Sequence, residues 1–150
     1  MRRSPSRAKA AKPARRSTKA AFRKILCPID FDRISIPALT LAQTMAVQNS
    51  AMVYLLYVVP ASLRSQLGQM AHDNLRAVTR KWLEGKVRNE IVVRFGKPVE
   101  SVLRAADELG ADLIVMATHG RTGVSRARLG SVTEEVVRRS TRPVMTVRPS

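Results

Sequence analysis

The chain is poor in the residues that build several kinds of functional centre. Its 150 positions hold one cysteine, two histidines, one tryptophan, two tyrosines and three phenylalanines. The lone cysteine, Cys27, can close no internal disulfide, and its apolar surroundings mark a buried structural thiol suited to a reducing compartment. Two widely spaced histidines and one cysteine exclude a structural zinc site. So few aromatics leave little platform on which nucleic-acid bases might stack. They also leave the core to Val, Leu, Ile, Ala and Met, which suits a parallel sheet covered by helices better than a sandwich. No apolar run is long enough to span a bilayer. There is no GKS or GKT sequence either, so the chain lacks the lysine of a Walker loop.

Acidic residues are scarce, and what is present instead is positive charge. Lys and Arg number 27 against 11 Asp and Glu, for a net charge of +16. The imbalance is local. Residues 1–24 carry ten Lys or Arg and no acid, while the remainder carries 17 basic and 11 acidic residues. The opening, MRRSPSRAKAAKPARRSTKA, has no apolar periodicity and cannot bury enough surface to offset its ordering entropy. Residues 1–22 therefore read as a basic disordered tail and 23–150 as one α/β domain, for which 45% hydrophobic content is sufficient. Three readings of the tail stay open: a solvated segment with weak attraction to nucleic acid or anionic surfaces, an organelle transit peptide, or an over-extended start. Arg2-Arg3 is followed by no apolar export region, so the expected location is the cytoplasm, or an organelle if the tail is a transit peptide.

From Lys24 short β runs alternate with helix-length segments, the pattern of βαβ units. Strands are expected at Lys24 to Ile29, Met52 to Val59, Glu90 to Phe95, Asp112 to Met116 and Pro143 to Val147. The first helix is expected to be capped by Ser35, started by Pro37 and finished near Gln48. A less regular stretch follows Pro60, with a helix from about Met70 to Leu83. Val99, Val102, Leu103, Ala106 and Leu109 recur at helical spacing before a stop at Gly110. Ser131 with Glu134 forms a capping-box pattern for a helix reaching about Ser140.

The stretch ATHGRTGVSRARLGS, Ala117 to Ser131, joins the fourth strand to that last helix. Small residues at Gly120, Gly130 and Ser131 would let phosphate oxygens approach the unpaired amides and partial positive charge of the helix start. Its spacing resembles the signature of the universal stress protein family, G-x-x-G, nine residues, then G-[S/T], with Ala117 standing where the first glycine is usual. ILCPIDFDRISIPAL, YLLYVVP, VVRFGKP, THGRTG, LGSV and PVMTV carry the same resemblance over everything but the tail. It implies an open doubly wound sheet of order 3-2-1-4-5 that binds ATP, with or without magnesium, where the strand order reverses. The implied contacts are Asp30, Phe31, Val58, Met116, Ala117, His119, Gly120, Gly130, Ser131 and Val132. Asp30 would meet the adenine and ribose end, and Val58 would pack on the adenine. Asp32 stands where the family often has serine.

Each residue also has a plainer reading. Asp30 suits a turn, Ser131 a helix cap and Gly123 a loop conformation. Arg121, Arg126 and Arg128 read as solvated loop charges. His119 has no carboxylate or nucleophile set beside it, so no catalytic residue is expected and any ATP hydrolysis should be slow. The expected role is a stress-linked regulatory or protective one. The alternatives are the same fold acting as a dimeric scaffold without nucleotide, and a nucleic-acid-associated protein working through its tail. The resemblance also implies homodimers joined through the last strand, where Val144, Met145, Thr146 and Val147 would otherwise be an open apolar edge.

Overall fold

The computed structural model describes residues 22–31, 33–118 and 129–148. Five strands, β1 (Lys24–Pro28), β2 (Met52–Val59), β3 (Arg88–Phe95), β4 (Leu113–Ala117) and β5 (Val144–Val147), form one all-parallel sheet in the order β3-β2-β1-β4-β5. The connections are α1 (Ile36–Asn49), α2 (Arg64–Trp82), α3 (Pro98–Leu109) and α4 (Ser131–Arg139), with 3-10 turns at Arg33–Ser35 and Ala61–Leu63. The doubly wound order expected from the sequence is the order observed. Residues 1–21, Asp32 and the loop positions 119–128 lie outside the described residues, and with them the readings of the tail and of Arg121, Gly123, Arg126 and Arg128.

Strand alternation divides the core in two. Ile25, Cys27, Val53, Leu55, Leu113 and Val115 point to the face covered by Ala38, Leu39, Ala42 and Ala46 of α1 and Ala71 and Leu75 of α2. Leu26, Tyr54, Leu56, Ile114 and Met116 point to the opposite face, under Val102, Ala105 and Ala106 of α3 and Val136 of α4. A strand buried on both sides must be apolar along its buried length, hence the unbroken runs ILCP and LIVMA. Cys27 is fully buried, and burial pushes its thiol up to about 12, so it stays protonated and inert. Among the described residues no helix is long and apolar enough to cross a membrane.

Two expected elements are corrected. The stretch after Pro60 is helical from Ala61 on, so α2 starts well before Met70. Ser65, Gln66 and Gln69 hide this by breaking the apolar period, and Gly68 lets the helix lie against the Phe95 ring, which a Cβ would meet at 3.4 Å. Arg64 stacks over the same ring at 4.5 Å. Ser131 is the first helical residue of α4, not its cap. Gly130 holds the cap position with φ −62° and ψ 151°, its carbonyl accepting from the Glu134 N–H at 2.9 Å, and among the described residues no side chain caps the helix. Gly110 does end α3 as expected, in the left-handed conformation at φ 63°.

Candidate functional site

In a parallel sheet every strand delivers its carboxyl end to the same edge. Reversal of strand order at β1 and β4 then keeps the crossover helices from closing the gap between them. A cleft of about 420 Å³ opens there, lined among others by Asp30 and Ser35 beyond β1, Leu56 and Val58 of β2, Met116 and Ala117 of β4, and Gly130, Ser131 and Val132 at the start of α4. Pro28, Pro60 and Pro98 add rigid apolar wall. The volume lies within the range of small-molecule sites.

Seven of the expected contact residues therefore share one cleft: Asp30, Val58, Met116, Ala117, Gly130, Ser131 and Val132. Phe31 sits beside it, its ring tilted against Tyr57 with centroids 4.3 Å apart. Its backbone is left-handed at φ 63°, a costly conformation for a bulky residue, and it turns the chain out of β1 immediately after Asp30. His119 and Gly120 lie outside the described residues.

Two hydroxyls stitch the cleft together, and local sequence rules do not reveal either. Thr133, buried on the first turn of α4, donates to the Ala117 carbonyl at 2.8 Å, while the Gly130 N–H donates to the Thr118 carbonyl at 2.5 Å. The helix start is thereby held against the end of β4. Ser35 is the second. It was expected to cap α1, yet its backbone is helical and its side chain caps nothing; the hydroxyl donates to the Asp30 carboxylate. The 3-10 turn runs straight into α1, leaving that hydroxyl free of the helix amides.

The polarity of the cleft is graded. At the β1–β2 end, Leu56 and Val58 make an apolar floor beside the Asp30 carboxylate. At the other end, the α4 start presents amide N–H groups with the positive end of the helix dipole. A flat, mostly apolar group linked to an anion fits that gradient. Ala117 is a regular strand residue, paired in register with Val147 and without the positive φ that would demand glycine. Among the described residues no cluster of three His, Cys, Asp or Glu side chains could hold a metal ion.

Residues 21–148 match the universal stress protein family. The chain belongs to that family. Universal stress proteins MJ0531 and MJ0577 of Methanocaldococcus jannaschii are 32% and 29% identical to it, each over 85% of this chain and over 82% and 95% of their own lengths. The solved structure of MJ0577 is similar with a TM-score of 0.79 at 26% identity, covering 87% of this chain and 98% of that one. A universal stress protein solved in complex with cAMP (TM-score 0.67, 24% identity, covering 87% of this chain and 99% of that one) shares the fold. So does one from Archaeoglobus fulgidus solved in complex with dAMP (TM-score 0.68, 20% identity, covering 84% and 98%).

Proposed function

We propose that this universal stress protein binds an adenine nucleotide in the cleft and acts through that occupancy as a stress-linked regulatory or protective factor. The observation that carries the reading is the convergence of Asp30, Val58 and the α4 start on one cleft. The cAMP- and dAMP-bound relatives support the choice of ligand class. Strand register supports the choice of base. The Leu56 carbonyl accepts from the Ile29 N–H at 2.9 Å, so the polar groups of Leu56 face β1, and those of Val58, two residues on, face the same way. Pairing of β1 with β2 stops at Pro28 and Leu56, so the N–H and C=O of Val58 turn toward ground that β1 has left. A donor and acceptor side by side match the acceptor and amino donor on adenine's edge, whereas guanine presents an acceptor where adenine has its amine.

Calorimetric titration of the full chain is expected to give one site per subunit, with ATP at least about tenfold tighter than GTP because a mispaired buried group is costly. Attraction to the basic segment at 1–22 would be indifferent to the base and would fall steeply with added salt. No saturable heat and no thermal protection by ATP would reject the reading in favour of a nucleotide-free scaffold.

The same proposal includes a homodimer through β5. The carbonyls of Pro143 and Val147 accept from Ile114 and Thr118 beside β4, so by strand alternation the polar groups of Thr146 face outward from the sheet edge. Val144, Met145 and Val147 remain only half-buried there. Thr146→Pro removes an outward N–H without breaking a bond to β4, and is expected to convert a dimer to a folded monomer in light scattering. A monomeric wild-type chain would reject this mode of assembly.

A further inference from the structure

We propose that the rim where the strands begin, at the end of the domain opposite the cleft, docks the phosphate backbone of a nucleic-acid duplex without regard to its sequence. β1, β2 and β3 start together there. Lys24 is in register with Met52 and Met52 with Arg88, so the two cations stand two strand spacings apart, about 10 Å, on the first rung of the sheet. Arg23 precedes the first of them. The last turn of α2 adds Arg80 and Lys81. Lys86 lies in the tight turn that follows, where its N–H and that of Val87 donate to the Leu83 carbonyl at 3.0 and 3.1 Å. All six cations are exposed.

Surface cations are commonly neutralised by an acid beside them, and elsewhere on this domain they are. Among the described residues, Arg94, Arg138, Arg139 and Arg142 pair with Glu108, Glu135, Glu100 and Asp107. None of the six at the rim enters an ion pair. Asp112 spends its carboxylate on the main-chain N–H groups of Arg23 and Lys24, and Glu84 pairs with no cation. Lys24 and Arg88 donate to the Leu109 and Ser50 carbonyls at the ends of α3 and α1, neutral acceptors that hold these groups without cancelling their charge. The helix ends gathered here offset about half a charge each, so the rim stays positive. The chain ahead of Phe22 enters the fold at the same place, and residues 1–22 hold eight further Lys or Arg and no acid. Five of the eight are arginines, whose planar fork meets two phosphate oxygens at once.

Fixed cations continued by a run of cations along the chain suit a polymer of phosphates. A duplex fits better than a single strand, which needs aromatic platforms that this chain has few of. It also fits better than a lipid surface, because Met1 and Phe22 are the large apolar residues of that segment and no apolar face repeats along it. The eight residues of β2 separate the rim from the cleft by roughly 26 Å, so duplex and nucleotide can be bound together, and the inference stands whether or not the cleft takes a nucleotide.

The test is fluorescence anisotropy of a labelled DNA duplex of about 20 base pairs titrated with the full chain at several salt concentrations, a length that spans about two helical turns. Affinity is expected to fall with salt at a log–log slope of about −5 or steeper, the mark of some six phosphate contacts, and to agree within about twofold between duplexes of unrelated sequence. Replacing Arg23, Arg80 and Lys86 together by alanine should weaken binding at least about tenfold and flatten the slope by about 3. Removing the same charge at the other end of the domain, as Arg33→Ala, Lys97→Ala and Arg64→Ala together, should cost less than about threefold, since these cations lie away from the docked backbone. Thermal unfolding is measured on each variant, and glutamine replaces alanine at the three rim positions if the first version does not fold. Equal losses from the two triple variants, or none from the rim variant, would overturn the proposal and leave the attraction to residues 1–22 or to net charge. Absence of duplex binding would overturn it as well, in favour of a lipid surface if the chain sediments with phosphatidylserine vesicles and of idle surface charge if it does not.

Discussion

Gly130→Val is expected to weaken ATP binding at least 100-fold while leaving the fold intact. The second half of that expectation comes from the backbone. Gly130 has φ −62° and ψ 151°, extended values that valine adopts readily, so no conformational freedom peculiar to glycine is in use. Its N–H to Thr118 and its carbonyl to Glu134 are main-chain bonds that a side chain leaves in place. The first half comes from the cleft. Gly130 lines it together with Ser131 and Val132, and phosphate oxygens must come within about 3 Å of the amides there to bond them. A branched side chain at the helix start occupies that approach, and losing two or three charge-assisted bonds costs about 3 kcal/mol or more, the equivalent of 100-fold. Ala117→Gly is the matched control and should shift affinity less than about threefold, an estimate resting on the ordinary strand geometry of Ala117. Calorimetry with thermal unfolding on both variants decides the matter: a folded Gly130→Val that binds ATP normally would remove the phosphate from the α4 start.

Much of this molecule is legible in its sequence because most of its elements are defined by their own periodicity. Strand β2 and helix α3 follow directly from an apolar run between turn signals and from a three-and-four spacing closed by glycine. Helix α2 is only partly legible, since its first turns bury little beyond Gly68, and Gly68 is there because of Phe95, a residue on another element. The order of the strands is invisible to local pattern and came from family resemblance. The site divides in the same way. Asp30, Ala117 and Gly130 are visible as polar or small residues at strand and helix ends. Ser35 and Thr133 were missed because propensity assigns Ser and Thr near a helix start to capping. Both hydroxyls instead bond across elements, to Asp30 and to the Ala117 carbonyl, and those partners become neighbours only once the sheet has formed.

Leu55→Ala is expected to destabilise the chain by about 3–4 kcal/mol, the range for emptying a fully enclosed leucine site. Leu55 has no exposure and lies on an interior strand, in register with Cys27 of β1 on one side and Ile91 of β3 on the other. Hydrogen bonds to both neighbours fix β2 in place, and α1 and α2 cover that face, so little can move in to refill the space. Against a total of about 5–15 kcal/mol for a domain of this kind, the loss is large, and urea unfolding should show it as a lower midpoint with an unchanged slope. Val47→Ala on α1, at 59% exposure, should change stability by no more than about 0.5 kcal/mol. The alternation of β2 makes a further demand on the same variant. Leu55 points to the α1–α2 face, whereas Leu56 and Val58 point to the opposite face and line the cleft. Below its unfolding transition, the Leu55→Ala chain should therefore bind ATP with wild-type affinity. A stability loss below about 1 kcal/mol would contradict the packing described for the central strands. A full stability loss accompanied by weakened binding would instead show that the two faces of the sheet are mechanically coupled, and that cleft geometry depends on the packing beneath it.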